Sequence, residues 1–239
     1  MKFAQNSTEA WQFSWDLLDL NKSPEIQFFG ASCLYHKVSK CFNEIPTEKY
    51  DELKNKILEK LIFYTTNCYM QPQYNNLKLI QRKLNSTLAK LALYLIPNEW
   101  ENCIQDCIQT ITNLKFDLPK TELVSIVLDL LTLLPEEFNN LQNIAKAKRI
   151  SIRNKLSESF QLIKAFLKDI FSSNNNQTTS SSLIQNCIKC LCSWNEFGIL
   201  FNDMESFLQL LFVAVYNEQL FEVTCECLTS VFSLPDNAK

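Results

Sequence analysis

Glycine is nearly absent from this chain, with two in 239 residues against roughly 7% in average usage. That shortage excludes hairpin-rich all-β folds, whose tight turns need positive φ, and the glycine loops that cradle phosphates. Histidine is scarcer still: His36 stands alone. A general base or ligand needs a partner residue and none is evident, so His36 reads as a partly buried or rim residue of a helix. No G-x-S-x-G, P-loop, H-E-x-x-H or G-x-G-x-x-G pattern occurs. The paired carboxylates Glu136 and Glu137 follow a proline expected to end a helix, where capping accounts for them. This inventory points away from an enzyme and implies no cofactor. Long hydrophobic runs are missing too. FLQLLFVAVY (207–216) is shorter than the roughly 20 residues of a membrane span. Residues 1–10 are polar and lack the apolar core of a secretory signal. A net charge of −3 and a pI near 5.4 give no sign of nucleic-acid or membrane binding.

What is present is helical patterning. The chain is 46% hydrophobic, enough for a sizeable core, and its seven prolines fall at expected element edges. Residues 24–46, PEIQFFGASCLYHKVSKCFNEIP, form the organising stretch. Ser23 is placed to cap a helix over 24–45, with Pro24 at its first position, where a missing N–H costs nothing. Ile26, Phe29, Gly30, Cys33 and Leu34 make one apolar face; Phe28, Ala31 and Tyr35 make a second. A helix apolar on two sides has to be covered from two sides, as in a stack. Gly30 forfeits about 1 kcal/mol of helix propensity, which close approach of another helix would justify.

A phrase of aliphatic residues, Pro, and then an acidic or amide residue recurs at Ile45-Pro46, Ile96-Pro97, Leu134-Pro135 and Leu234-Pro235. The first three prolines are 51 and 38 residues apart, bracketing the roughly 40–47 residues of helix-pair repeats. Each proline is expected to stop one helix, and the polar residue after it to cap the next. The chain therefore reads as all-α, a HEAT-repeat α-solenoid of about five to six helix pairs forming a single domain over 1–239. Residues 9–20 are the second helix of a first repeat. The pairs that follow are 24–45 with 47–66, 77–96 with 98–114, 120–134 with 146–172, and 183–195 with 203–217, then a lone helix over 219–233. NCYMQPQYNN (67–76) is expected as a long connecting loop, and 172–182 as a polar low-complexity linker. A half repeat at each end leaves apolar faces uncovered, which reads as part of a longer solenoid.

Ten cysteines might suggest disulfides, but they fall at helical positions in a large chain, which implies a reduced protein of the cytosol or nucleus. Cys187, Cys190 and Cys192 cannot meet one metal, since positions i and i+2 of a helix point about 200° apart. Cys103 and Cys107 share a face, with no second pair to complete four ligands. Small buried core thiols are expected, and no metal site. Lys146, Lys148, Arg149, Arg153 and Lys155 place cations in the first turns of a helix, against its dipole. This is either an ordinary solvated face or a docking patch for an acidic protein surface, with RNA the weaker choice. Charged stripes lie on the second helices of the pairs: Asp16 and Asp19; Glu52, Lys56 and Glu59; Asn102, Asp106, Gln109 and Asn113. Stacking aligns such stripes into a groove.

AWQFSWDLL (10–18) followed by SPEIQFFGASCLYHKVS resembles the N-terminal repeats of the importin-β (karyopherin-β) superfamily, with most likeness to its importin 13/transportin 3 branch. LALYLIPNEW (91–100), DLLTLLPEEF (129–138), SWNEF (193–197) and SVFSLPD (230–236) agree. The resemblance runs from about residue 10 to the end, is specific in the first fifty residues and diffuse in the basic and Asn-rich middle. It implies a right-handed superhelix with an importin N-terminal-like region over about 1–66 and further repeats over 77–239. It also implies a nuclear transport receptor, shuttling between nucleus and cytoplasm, whose first repeats bind the small GTPase Ran in its GTP form. The second helices of those repeats would meet the Ran switch regions, which report nucleotide state. Protein cargo and nuclear pore proteins are the other implied partners. Two departures stand out, the missing start of the first repeat and the 67–76 loop. The reading without the resemblance is a HEAT scaffold with no nucleotide-sensitive partner.

Overall fold

The computed structural model describes residues 6–71, 75–112, 118–142, 144–173, 181–199 and 201–233, and no strand occurs among them. Two compact units are present: Met1–Leu95 with Phe116–Leu118, and Ile96–Lys115 with Pro119–Lys239. Each is built of packed helices of HEAT type, and none of the described helices is long and apolar enough to cross a membrane.

The first unit holds α1 (Ala10–Leu17), α2 (Pro24–Lys40), α3 (Tyr50–Met70) and α4 (Asn75–Leu95). Helix α2 packs on α1 and on α4, and α4 also packs on α3, so α2 is covered on two sides as its pattern requires. Gly30 is where α1 comes closest. A Cβ there would lie 2.8 Å from Leu17 Cβ and 2.9 Å from the Ser14 carbonyl oxygen, so a side chain would push the helices apart. Pro24 does open α2, but the Ser23 side chain makes no capping bond to its backbone. It hydrogen-bonds the Glu25 carboxylate instead and holds that group below its ordinary range, after the contribution of Glu25's own N–H.

Helix α2 ends at Lys40, short of the expected 45, and a 3-10 turn follows at Phe42–Glu44. Two contacts account for the break. Phe42 stacks on Tyr50 and Tyr94 at 5.0 and 4.8 Å, and the turn carries Glu44 back to Lys37. Lys37 is fully buried and paired with that carboxylate, which also accepts the Trp11 indole N–H at 2.9 Å. A buried ammonium without a partner would cost several kcal/mol, so the turn and the ion pair depend on each other. The connection between α3 and α4 is far shorter than the expected 67–76 loop, because α3 continues to Met70 and α4 starts at Asn75. Thr65, Thr66 and Asn67 each hydrogen-bond the carbonyl four residues back, which lets polar residues extend the helix.

The second unit holds α5 (Cys103–Thr112), α6 (Lys120–Asn139), α7 (Lys146–Ser173), α8 (Ser181–Phe197), α9 (Phe201–Ala214) and α10 (Phe221–Ser233). Helices α6, α8 and α10 pack in succession, α5 and α7 pack against α6 and α8 respectively, and α9 packs on α10. The α6–α8 pair is parallel and in register: Asn186 donates to Ser125 Oγ at 3.2 Å and Ser193 to the Thr132 carbonyl at 2.8 Å, both across 61 residues. Helix α5 begins at Cys103 rather than at the expected 98, and residues 113–114 of the expected 98–114 lie outside the described residues. Trp100 is buried in the turn before it and donates its indole N–H to Asp106 at 2.9 Å. Of the expected 172–182 linker, residues 174–180 lie outside the described residues.

Pro135 does not stop its helix; α6 runs through it to Asn139. An internal proline removes the bond to the carbonyl four residues back, here that of Leu131. The Trp194 indole N–H, buried in α8, donates to that carbonyl at 2.9 Å. The neighbouring helix thus supplies the donor the proline lacks, and Phe138 continues on to an edge-on contact with Phe197 at 5.2 Å. Glu136 and Glu137 accordingly lie within the last turn of α6 rather than capping a following helix.

Trp194→Phe is expected to destabilise the protein by about 1–3 kcal/mol in urea unfolding, since it strands a buried carbonyl. Pro135→Ala restores a backbone donor to Leu131, so the same Trp194 substitution should cost less in that background. A double-mutant cycle with no coupling would refute the compensation. Glu44 gives a pH signature. The hydrogen bond from Lys37, reinforced by Trp11, holds its carboxyl below the ordinary value of 4.5, with burial opposing. A depressed carboxyl contributes stability above its unfolded pKa and loses it as pH falls through the folded one. The stability gap between wild type and Glu44→Gln should therefore narrow as pH drops below 4.5, measured by denaturant unfolding at a series of pH values. A constant gap would remove the ion pair from the account.

Candidate partner-binding surface

The sequence nominates residues on α1, α3, α5 and α7, and their surroundings differ. Asp16 and Asp19 are exposed at the end of α1 and just beyond it; the Asp19 carboxylate accepts the Asn21 N–H at 2.9 Å. Glu52 and Glu59 are exposed on α3, whereas Lys56 between them is half-buried, its ammonium 4.6 Å from the centre of the Trp15 ring. Lys60, one turn further on, donates to the Leu18 carbonyl at 3.2 Å. Cation and ring therefore bring α3 alongside α1, and a lysine fills the electronegative C-terminal end of α1.

Beneath this contact, Tyr64 donates to Gln27 Oε1 at 2.7 Å, and Gln27 donates to the Lys22 carbonyl at 2.7 Å. Burial pushes the Tyr64 phenol up, with the nearby Asp19 charge adding to it. Lys56 and Lys60 are thus drawn onto a ring and a carbonyl, while Asp16, Asp19, Glu52 and Glu59 stay exposed.

In the second unit Asn102 and Gln109 are exposed, and Asp106 is exposed but holds the Trp100 indole. Asn113 lies outside the described residues. Glu101 pairs with Lys155 of α7 at 2.9 Å, which lowers the carboxyl and raises the ammonium from their ordinary ranges.

The cations of α7 divide. Lys146 and Lys148 are exposed. Arg149 lies 4.7 Å from the Phe138 ring centre and donates to the Leu141 carbonyl at 2.9 Å. Arg153 lies 5.0 Å from the Phe197 ring centre and donates to the Phe197 carbonyl at 3.0 Å. Both arginines therefore close the C-terminal ends of neighbouring helices, α6 and α8, where the dipole favours a cation. The conflict noted at the start of α7 has this internal use. The signal that could have revealed it is the aromatic residue that closes each of LLPEEF and SWNEF, an arginine-stacking platform.

His36 is half-buried, its Nε2 2.9 Å from the Asn6 amide oxygen, and burial, with Lys40 and Lys37 nearby, lowers its pKa. Cys103, Cys107, Cys187 and Cys190 are buried core thiols. Burial pushes Cys103 and Cys190 each up to about 12. No three His, Cys, Asp or Glu side chains among the described residues are grouped to hold a metal ion.

Comparison with known proteins agrees. Residues 1–62 match the importin-beta N-terminal domain family, and residues 77–228, more than half of the chain, match the family described as exportin 1-like protein. Importin-13 of Bos taurus and importin-13 of Homo sapiens are each 30% identical to this chain over 234 residues, covering 98% of it and 23% of their own length. Importin-13 homolog A of Dictyostelium discoideum is 27% identical over 80% of the chain and 17% of its own length. The chain thus spans about a quarter of the length of the importin-13 proteins it matches. A HEAT-type all-α architecture, a matched N-terminal domain family and near-complete coverage by these relatives place the chain in the importin-β superfamily, in its importin-13 branch.

Proposed function

We propose that this chain is the Ran-binding region of a nuclear transport receptor and takes part in moving proteins between nucleus and cytoplasm. The observation that carries the reading is a coincidence of place. The importin-beta N-terminal match spans residues 1–62, and within that stretch Asp16, Asp19, Glu52 and Glu59 are each exposed on or just beyond α1 and on α3. An acidic face of this kind suits a basic patch on a GTPase and steers its approach. Lys56, held over Trp15, positions α3 beside α1. Asn102, Asp106 and Gln109 supply further contacts. Lys146 faces acidic cargo, with Arg149 and Arg153 acting through the helix ends they close. Protein cargo and nuclear pore proteins complete the set of partners.

The test is binding of the purified chain to Ran loaded with a non-hydrolysable GTP analogue, compared with Ran-GDP. Preference for the GTP form is expected, and Glu52→Lys combined with Glu59→Lys should weaken it by about tenfold or more, chiefly through the association rate. Equal or absent binding by a chain shown to be folded and helical would overturn the reading. A HEAT scaffold with no nucleotide-sensitive partner would then stand.

A further inference from the structure

The cysteine cluster C-x-x-C-x-C has no part in the proposed function, yet its members differ. Cys187 and Cys190 are fully buried, and Cys190 turns toward Thr132 of α6. Cys192, two residues on, faces the opposite side of α8 and reaches α10. There it meets Cys227, a buried thiol, and the two side chains hydrogen-bond each other. The contact belongs to a regular interface. One turn further along, Asn195 donates to Ser230 Oγ at 2.8 Å across 35 residues, the same sequence separation as Cys192 and Cys227. Helices α8 and α10 are therefore parallel and in register, and the register brings the two sulfur atoms together.

The surroundings of Cys192 suit a reactive thiol. It is half-buried, and in the protonated form it donates to Glu196 Oε1 at 3.7 Å. Cys227 donates to its sulfur, which stabilises the thiolate and lowers the Cys192 pKa; Ser230 adds to this, while burial and Glu196 oppose. Glu196 and Ser230 also line an open cleft of about 840 Å³ that extends over Phe221 and Cys225 of α10. A small polar oxidant has a route to the neighbours of Cys192. Burial holds Cys103 and Cys187 protonated, and the hydrogen bond to Cys192 together with burial does the same for Cys227, so Cys192 is the thiol that meets the oxidant first.

We propose that Cys192 and Cys227 are a peroxide-responsive thiol pair that closes a disulfide between α8 and α10. The Cys192 thiolate attacks hydrogen peroxide: an S–O bond forms, the O–O bond breaks, and the hydroxide released takes up the Cys192 proton as water. Sulfur is oxidised by two electrons to the sulfenic acid and peroxide is reduced. Cys227 then attacks the sulfenyl sulfur. The S–S bond forms, the S–O bond breaks, and the departing hydroxide leaves as a second water with the Cys227 proton. A dithiol reductant reverses the step.

The test is exposure of the chain to hydrogen peroxide, blocking of free thiols, and disulfide mapping by peptide mass spectrometry. One intramolecular Cys192–Cys227 crosslink is expected, lost in Cys192→Ser and reversed by dithiothreitol. In Cys227→Ser, whose hydroxyl keeps the hydrogen bond, the Cys192 sulfenic acid should persist and be trapped by dimedone. Alkylation of Cys192 in the reduced chain should be about tenfold faster than that of Cys225, the half-buried thiol that lines the cleft. Oxidation that leaves the two cysteines unlinked in the wild-type map, or that joins Cys225 instead, would overturn the proposal. So would equal alkylation of Cys192 and Cys225.

Discussion

Helices covered on both faces leave no water for their carbonyls, and every such group left unbonded in the interior costs free energy. That constraint runs through both units. Where a carbonyl lacks its intrahelical donor, a side chain from a neighbouring helix provides one. Trp194 serves Leu131, Arg149 serves Leu141, Arg153 serves Phe197, and Lys60 serves Leu18. A donor of this kind has one address. It fixes the position of a helix along its neighbour in a way that apolar contact, which tolerates sliding, does not. The common 61-residue separation of Asn186–Ser125 and Ser193–Thr132 shows the result, two parallel helices locked at two points in one register.

The same economy of donors shapes the surface. Lys37 is consumed by Glu44 in the interior, Lys56 by the Trp15 ring and Lys60 by a carbonyl. Each cation used to hold α1 against its neighbours is one fewer facing solvent. The outer side of α1 and α3 is therefore acidic although the sequence of α3 alternates Glu and Lys freely. The predominance of exposed carboxylates there is a by-product of how the helices are fastened.

Much of this was legible from local pattern. Gly30 announced a close approach because nothing else explains glycine at a central helical position, and the two apolar faces of 24–35 required two neighbours. Pro24 and the shortage of glycine fixed a helix start and the fold class. Other features depended on residues far apart in sequence. Pro135 looks like a terminator until Trp194 is seen beside it, 63 residues on from the carbonyl it serves. The 67–76 stretch looks like a loop from its amides and Pro72, yet Asn67 bonds back onto the helix it extends, as Thr65 and Thr66 do just before it. Arg149 and Arg153 were read as surface charges because their ring platforms lie on other helices. The charged stripes on α1 and α3, Lys56 included, were drawn from helix position alone; that Lys56 turns to the Trp15 ring shows only in the structure.

The cysteines follow from the same logic of two-sided burial. Stacked helices need small side chains where their axes approach, and a thiol fills such a space while adding little polarity. Cys33, Cys103, Cys187 and Cys190 occupy sites of that kind. Desolvation disfavours the thiolates of Cys103, Cys187 and Cys190, which suits them to packing. Cys192 has the same side chain and the same helix as Cys187 and Cys190, but it faces the rim between α8 and α10, where Cys227, Ser230 and Glu196 surround it with polar neighbours. Identity of residue type therefore says little about chemistry in this fold. What separates an inert thiol from a reactive one is a rotation of about 200° around a single helix axis.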